Sequence, residues 1–101
     1  MAYGAITVPA TANGIQIVAK NLSRIQILLY NNSAVTIFLG EDTNVTTSNG
    51  YPFLSGREKT IGFNGDADAF PLSYRGAIYG IVATATADLR YWEMLPSTEY
   101  T

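Results

Sequence analysis

The sequence predicts an all-β domain: an antiparallel β-sandwich or small barrel of about eight short strands, jelly-roll-like in arrangement. Three observations point there. Apolar residues recur at every second position along most of the chain, the period of a half-buried strand and not the i, i+3, i+4 recurrence of a helix. Clusters of Asn, Gly, Ser and Asp interrupt that pattern about every 8–12 residues. β-branched and aromatic side chains dominate the runs in between, and these fit a pleated surface. At 101 residues the chain is one domain, 1–101, that hides roughly two-thirds of its unfolded surface.

Taken in order, residues 4–8 form the first expected strand. The segment around it, Ala2 to Ala12, is small, apolar and uncharged. Residues 1–12 therefore read either as an edge strand of the core or as an N-terminal arm laid across a neighbour. The turn Ala12-Asn13-Gly14 precedes a strand at 15–19, where Ile15 and Ile17 alternate with Gln16 and Val18. In 24–31, Ile25, Ile27 and Leu29 share one face, and Leu28 and Tyr30 the other. Asn31-Asn32-Ser33 then reads as a tight hairpin. It leads into 35–40, where Val35, Ile37 and Leu39 alternate with Thr36 and Phe38. A short strand is expected at 44–47 and another at 58–63, with Pro52 and Pro71 in connections where a missing N–H is harmless. The run 77–83 is apolar throughout. Ala83 to Leu89 is the best helical candidate, but Thr84, Thr86 and Asp88 suit a strand end better. The last strand, 88–95, carries Tyr91-Trp92 and closes at Pro96 before a polar tail.

Composition excludes several chemistries. The chain has no Cys and no His, so disulfides, Cys/His zinc sites and His or Cys catalysis are ruled out. Six basic against 8 acidic residues leave a net charge of -2, which argues against nucleic acid as a partner, since phosphate recognition rests on Lys and Arg. No run of 18 apolar residues offers a membrane span. The start, Met1 to Ile6, lacks the basic and apolar regions of a secretory signal.

The acids cluster at Glu41-Asp42 and at Asp66 and Asp68. The second group resembles a fragment of a calcium loop but lacks a closing bidentate Glu, so it reads as a solvated turn. Glu58 and Glu93 lie on or beside strands, and no motif makes them a catalytic pair. Three sequons, at Asn21, Asn31 and Asn44, read as polar turns. No enzyme activity and no cofactor are expected.

The aromatic residues carry more. Seven Tyr, 4 Phe and 1 Trp make 12% of the chain. Tyr91 and Trp92 are adjacent in a strand, so they face opposite sides. Strands 24–31 and 77–83 are apolar on both faces, yet a sandwich core covers only one. A second covered surface follows, since large exposed apolar patches are rare on soluble monomers. The residues expected to form it are Tyr3, Ile6, Val8, Leu28, Tyr30, Tyr79, Tyr91 and Trp92. Two occupants suit such a surface: a protein partner, including a second copy of the chain, or a glycan stacked on exposed aromatics. A glycan needs at least two exposed aromatics lining one groove, for example Tyr51 and Tyr79.

A family resemblance rests on the run from Ile25 to Gly40, on Val45-Thr46, and on Asn49-Gly50-Tyr51-Pro52-Phe53-Leu54. It continues through Gly56 to the run Ala77–Ala83 and ends on Leu89-Arg90-Tyr91-Trp92-Glu93. Over residues 15–95 this pattern of strands and turns resembles small β-sandwich virion proteins of tailed double-stranded DNA phages. The resemblance implies a structural role in the virion: a capsid decoration or cement protein, a head-fibre base, or a tail or neck component. It implies a symmetric oligomer, a trimer at the three-fold points of a capsid, bound to the major capsid protein or another virion protein. A carbohydrate- or receptor-binding module of a phage tail or fibre, or of a secreted bacterial protein, is the alternative. No catalytic residues carry over.

Overall fold

The computed structural model describes residues 3–24, 26–62 and 76–95. The expectations placed on Ile25, Asp66, Asp68, Pro71 and the tail from Pro96 lie outside them. The described residues contain no helix and eight strands. These are β1 (Tyr3–Pro9), β2 (Ile15–Val18), β3 (Gln26–Asn31), β4 (Ile37–Gly40), β5 (Tyr51–Phe53), β6 (Glu58–Gly62), β7 (Ile78–Val82) and β8 (Thr86–Met94).

Strand pairing follows a single plan. β1 pairs with β8, β2 with β7, β3 with β6 and β4 with β5, all antiparallel. Those are the pairs of one long hairpin folded between β4 and β5. Two further pairs, β3 with β8 and β4 with β7, roll that hairpin up. The result is two four-stranded sheets, ordered β1-β8-β3-β6 (sheet A) and β2-β7-β4-β5 (sheet B). This wiring is a jelly-roll β-sandwich.

The core lies between the sheets. Val8, Ile27, Leu29 and Leu89 of sheet A meet Ile17, Ile37, Phe53, Ile78 and Val82 of sheet B, all nearly or fully buried. Gly80 of β7 leaves room for this packing, because a Cβ there would press on Ile17 and Ile37. A bulge between Gln16 and Val18 turns two successive residues, Ile17 and Val18, into the core. Simple alternation had placed Val18 on the opposite face; one extra residue in a strand reverses the parity beyond it.

Residues 3–9 are not a detached arm. β1 runs in register with β8 from Tyr3↔Trp92 to Pro9↔Thr86, and Val8 is 0% exposed in the core. Period-2 patterning cannot separate an edge strand from an arm, since both carry one apolar face.

Three other expectations change. The Asn31–Ser33 turn is not a hairpin, because β3 lies in sheet A and β4 in sheet B. Residues 44–47 are not a strand. There the backbone bonds to side-chain oxygens instead: Asn44 N–H to Asp42 Oδ1 (2.9 Å), Thr46 N–H to Asn49 Oδ1 (2.7 Å) and Asn49 N–H to Thr46 Oγ1 (3.2 Å). Val45 of this loop is buried beside Gly14, Gly40 and Gly50, at each of which a Cβ would collide with it. Finally, Pro52 lies inside β5. That strand is the edge of sheet B, where a missing N–H can face away from the ladder.

The β7–β8 connection is a short turn and not a helix. Ala85 sits at φ 60° in it, a left-handed conformation uncommon for a residue with a Cβ. Between β5 and β6, at the open side of the sandwich, the Lys59 ammonium lies 4.1 Å from the centre of the Tyr51 ring.

Candidate functional site on the outer face of sheet A

Antiparallel register sets the outward-facing side chains of sheet A in rows. Tyr3, Trp92, Leu28 and Thr60 form one row across β1, β8, β3 and β6. Ala5, Arg90, Tyr30 and Glu58 form the next. Thr7 and Asp88 begin a third, which Asn32 completes by donating from Nδ2 to Asp88 Oδ2 at 3.0 Å. Neighbours within a row are close enough to touch. An open groove of about 690 Å³ runs over this face, walled by Tyr3, Leu28, Tyr30 and Trp92, with Arg90 and Glu58 at its polar end.

Four of the expected interface residues, Tyr3, Leu28, Tyr30 and Trp92, therefore meet on one surface. Tyr3 is 61% exposed, Trp92 51% and Tyr30 39%. The other four do not share it in the same way. Val8 is a core residue, and Ile6 packs half-buried against the core. Tyr91 also packs on the core, as expected for the neighbour of an outward Trp92, and reaches the groove only at its margin, beside Gly4. A Cβ at position 4 would stand 3.0 Å from Tyr91 Oη, so the glycine makes room for that ring. Tyr79 lies in β7 of the other sheet and donates to Gln16 Oε1 at 3.3 Å. Tyr51 and Tyr79 do not form an aromatic pair: Tyr51 is on edge strand β5, with β4 between it and β7.

Sequence reasoning missed the polar side of the groove. Asp88, Arg90 and Trp92 alternate along β8 and so share a face; the same period-2 argument that separated Tyr91 from Trp92 would have found them. Arg90 Nη2 donates to Asp88 Oδ2 at 2.8 Å, and Arg90 Nε sits 3.0 and 3.1 Å from the two carboxylate oxygens. The Arg90 hydrogen bond, then that of Asn32, holds the Asp88 carboxyl below its ordinary value of 3.8. Asp88 in turn raises Arg90. A depressed acid contributes stability that is present above its unfolded pKa and lost as pH falls through the lowered folded value. Denaturation midpoints should accordingly decline below about pH 4, and Asp88→Asn should remove this pair's share of the decline. An unchanged acid limb in Asp88→Asn would refute the assignment.

A second polar feature lies at the opposite end of β8. Arg24 is 0% exposed and donates from Nε to Glu93 Oε2 at 2.9 Å. Its Nη1 reaches Gly76 O at 3.0 Å and its Nη2 Ala19 O at 2.8 Å. Glu93, whose direction the sequence left open, is thus a partner in a buried ion pair. Glu58 is exposed at the groove, on the far side of β3 from β8, so the two glutamates do not form a pair. Among the described residues no three acidic, His or Cys side chains gather to hold a metal ion. No helix of the described residues is long and apolar enough to cross a membrane.

Comparison of the chain with protein-family models, with curated proteins and with solved structures gave no match.

Proposed function

We propose that the protein is a structural component of a tailed-phage virion: a capsid decoration or cement protein that binds the capsid exterior as a symmetric oligomer and stabilises it. The sequence pattern over residues 15–95 supports this reading. Jelly-roll sandwiches serve in both capsid and lectin domains, so the fold agrees by analogy alone.

The observation that supports assembly most directly is β1. It is a seven-residue strand, YGAITVP, without a charge. It stands at the edge of sheet A and, among the described residues, pairs on one side only. Such an edge offers a row of N–H and C=O groups to another strand. Natural edges are blunted by Lys, bulges or short length; β1 has only Pro9 at its end. A second copy adding its own β1 antiparallel would continue sheet A across a two-fold axis.

Sedimentation of the purified protein should therefore give a multiple of the chain mass, and the protein should co-sediment with capsids of its phage. Ala5→Lys combined with Thr7→Lys charges this edge at two exposed positions. The double variant should keep its β-type circular dichroism, sediment as a lighter species and lose capsid occupancy. A wild-type monomer that ignores capsids would overturn the reading.

A further inference from the structure

The outer groove of sheet A has a use that self-association through β1 leaves open. We infer that it is a binding site for a short neutral oligosaccharide. Three of the exposed large apolar side chains, Tyr3, Tyr30 and Trp92, stand around this one groove. Tyr3 and Trp92 are cross-strand partners, and Tyr30 is one row away on the strand beyond Trp92. Rings on neighbouring strands are spaced by about 4.8 Å, close to the rise between successive pyranose rings in an extended chain. The volume, about 690 Å³, falls within the roughly 300–1,000 Å³ of small-ligand sites.

The polar groups narrow the occupant. Arg90, held by Asp88 from the neighbouring row, offers donors, while Glu58 offers acceptors. One guanidinium against one carboxylate leaves the groove lining with no net charge, and so with no excess of cations to hold an anion. A phosphate backbone or an acidic sugar is disfavoured there. A lipid tail would strand the charged row against hydrocarbon. An extended peptide gains its affinity from main-chain hydrogen bonds at a sheet edge, but the floor of this groove is a sheet whose inner strands, β8 and β3, are paired on both sides. A sugar needs none of these things. Its C–H faces lie on the rings, and its hydroxyls take bonds from Arg90 and give them to Glu58.

The chain has one Trp, and it is Trp92, so intrinsic Trp emission reports the groove directly. Purified full-length protein is titrated with cellotetraose, maltotetraose, chitotetraose and a galactose-based tetrasaccharide, with a sialylated trisaccharide as the charged control. We expect a saturable shift in Trp92 emission with at least one neutral sugar and none with the acidic one. Tyr30→Ala should weaken the titration at least about tenfold, a loss of about 1.4 kcal/mol by the affinity relation. Tyr51→Ala, an exposed aromatic on the other sheet, should leave it unchanged. The inference is overturned if no neutral sugar moves the emission, if Tyr30→Ala binds as well as wild type, or if the emission shifts with protein concentration alone, which would place a second copy in the groove. Neither sugar outcome bears on the β1 edge, and the concentration arm is run on Thr7→Lys, which charges that edge outside the groove lining, so the two proposals fail separately.

Discussion

Replacing Arg24 by Ala should cost the protein about 3–5 kcal/mol of stability, the range for breaking one side of a buried ion pair. Arg24 is fully buried, and Glu93 beside it is only 12% exposed. Removing the guanidinium leaves the carboxylate without its cation in a low-dielectric setting. It also strips donors from Gly76 O and Ala19 O, which lie just before β7 and just after β2. One side chain therefore ties both sheets together at this end of the sandwich. A chain of 101 residues has a total stability of only ~5–15 kcal/mol, so the variant should be marginal at room temperature. Urea denaturation followed by circular dichroism measures this. Arg24→Lys should fall between, because an ammonium cannot reproduce a planar fork aimed at acceptors on several sides. Glu93→Gln should cost less than Arg24→Ala, because the amide oxygen can still accept from Nε. If Arg24→Ala lost under about 1 kcal/mol, the range of an exposed pair, the keystone role would be wrong.

The second large effect is expected at Asn31, which is buried at the end of β3. Its Nδ2 donates to Val35 O at 2.9 Å and to Phe53 O at 2.8 Å, and its Oδ1 accepts from Ser33 Oγ at 2.5 Å. Its backbone is used as well: the N–H donates to Arg57 O, and the carbonyl accepts from Gly56 N–H. The side chain thus holds the passage from sheet A to sheet B and the edge strand β5. Asn31→Ala strips a donor from Phe53 O and from Val35 O, which keeps only Ser33 Oγ, and an unsatisfied buried polar group costs about 1–3 kcal/mol. A loss of roughly 2–4 kcal/mol is expected, read from the denaturation midpoint. Asn31→Asp sharpens the test. It keeps the shape but sets carboxylate oxygens against carbonyl oxygens, so it should be at least as damaging at neutral pH. Burial and these acceptors would raise the carboxyl's folded pKa. The stability of Asn31→Asp should therefore recover as pH falls through that raised value, the reverse of the Asp88 profile. An Asp variant as stable as wild type at neutral pH would refute the arrangement.

Asn31 also shows why the sequence was only partly legible. An Asn-Asn-Ser between two alternating runs announces a reversal, but not whether the next strand pairs alongside or crosses to the facing sheet. Backbone bonds decide that, and here a side chain takes the bonds a hairpin partner would supply. The loop at 44–47 failed for a related reason. Val45-Thr46-Thr47 has high β-propensity, yet Asn49 Oδ1 takes the Thr46 N–H, the Asp42 carbonyl that of Val45 and Asp42 Oδ1 that of Asn44. β5 was hidden by Pro52, which reads as a breaker everywhere except at a sheet edge.

What the sequence determined by itself was the fold class, most strand positions and, outside the bulge at Val18, the alternation of faces along the strands, because a period of two is a local property of extended backbone. That was enough to place Tyr3, Leu28, Tyr30 and Trp92 among eight candidates and to set Trp92 and Tyr91 on opposite faces. Only the tertiary structure decided which strands are neighbours. Register places Tyr3 beside Trp92, 89 positions away in the chain, with Leu28 on its other side, and so turns scattered aromatics into one groove. It also sends Val8 into the core and buries Arg24 against Glu93. These are non-local pairings, and alternation along a strand carries no information about what lies across from it.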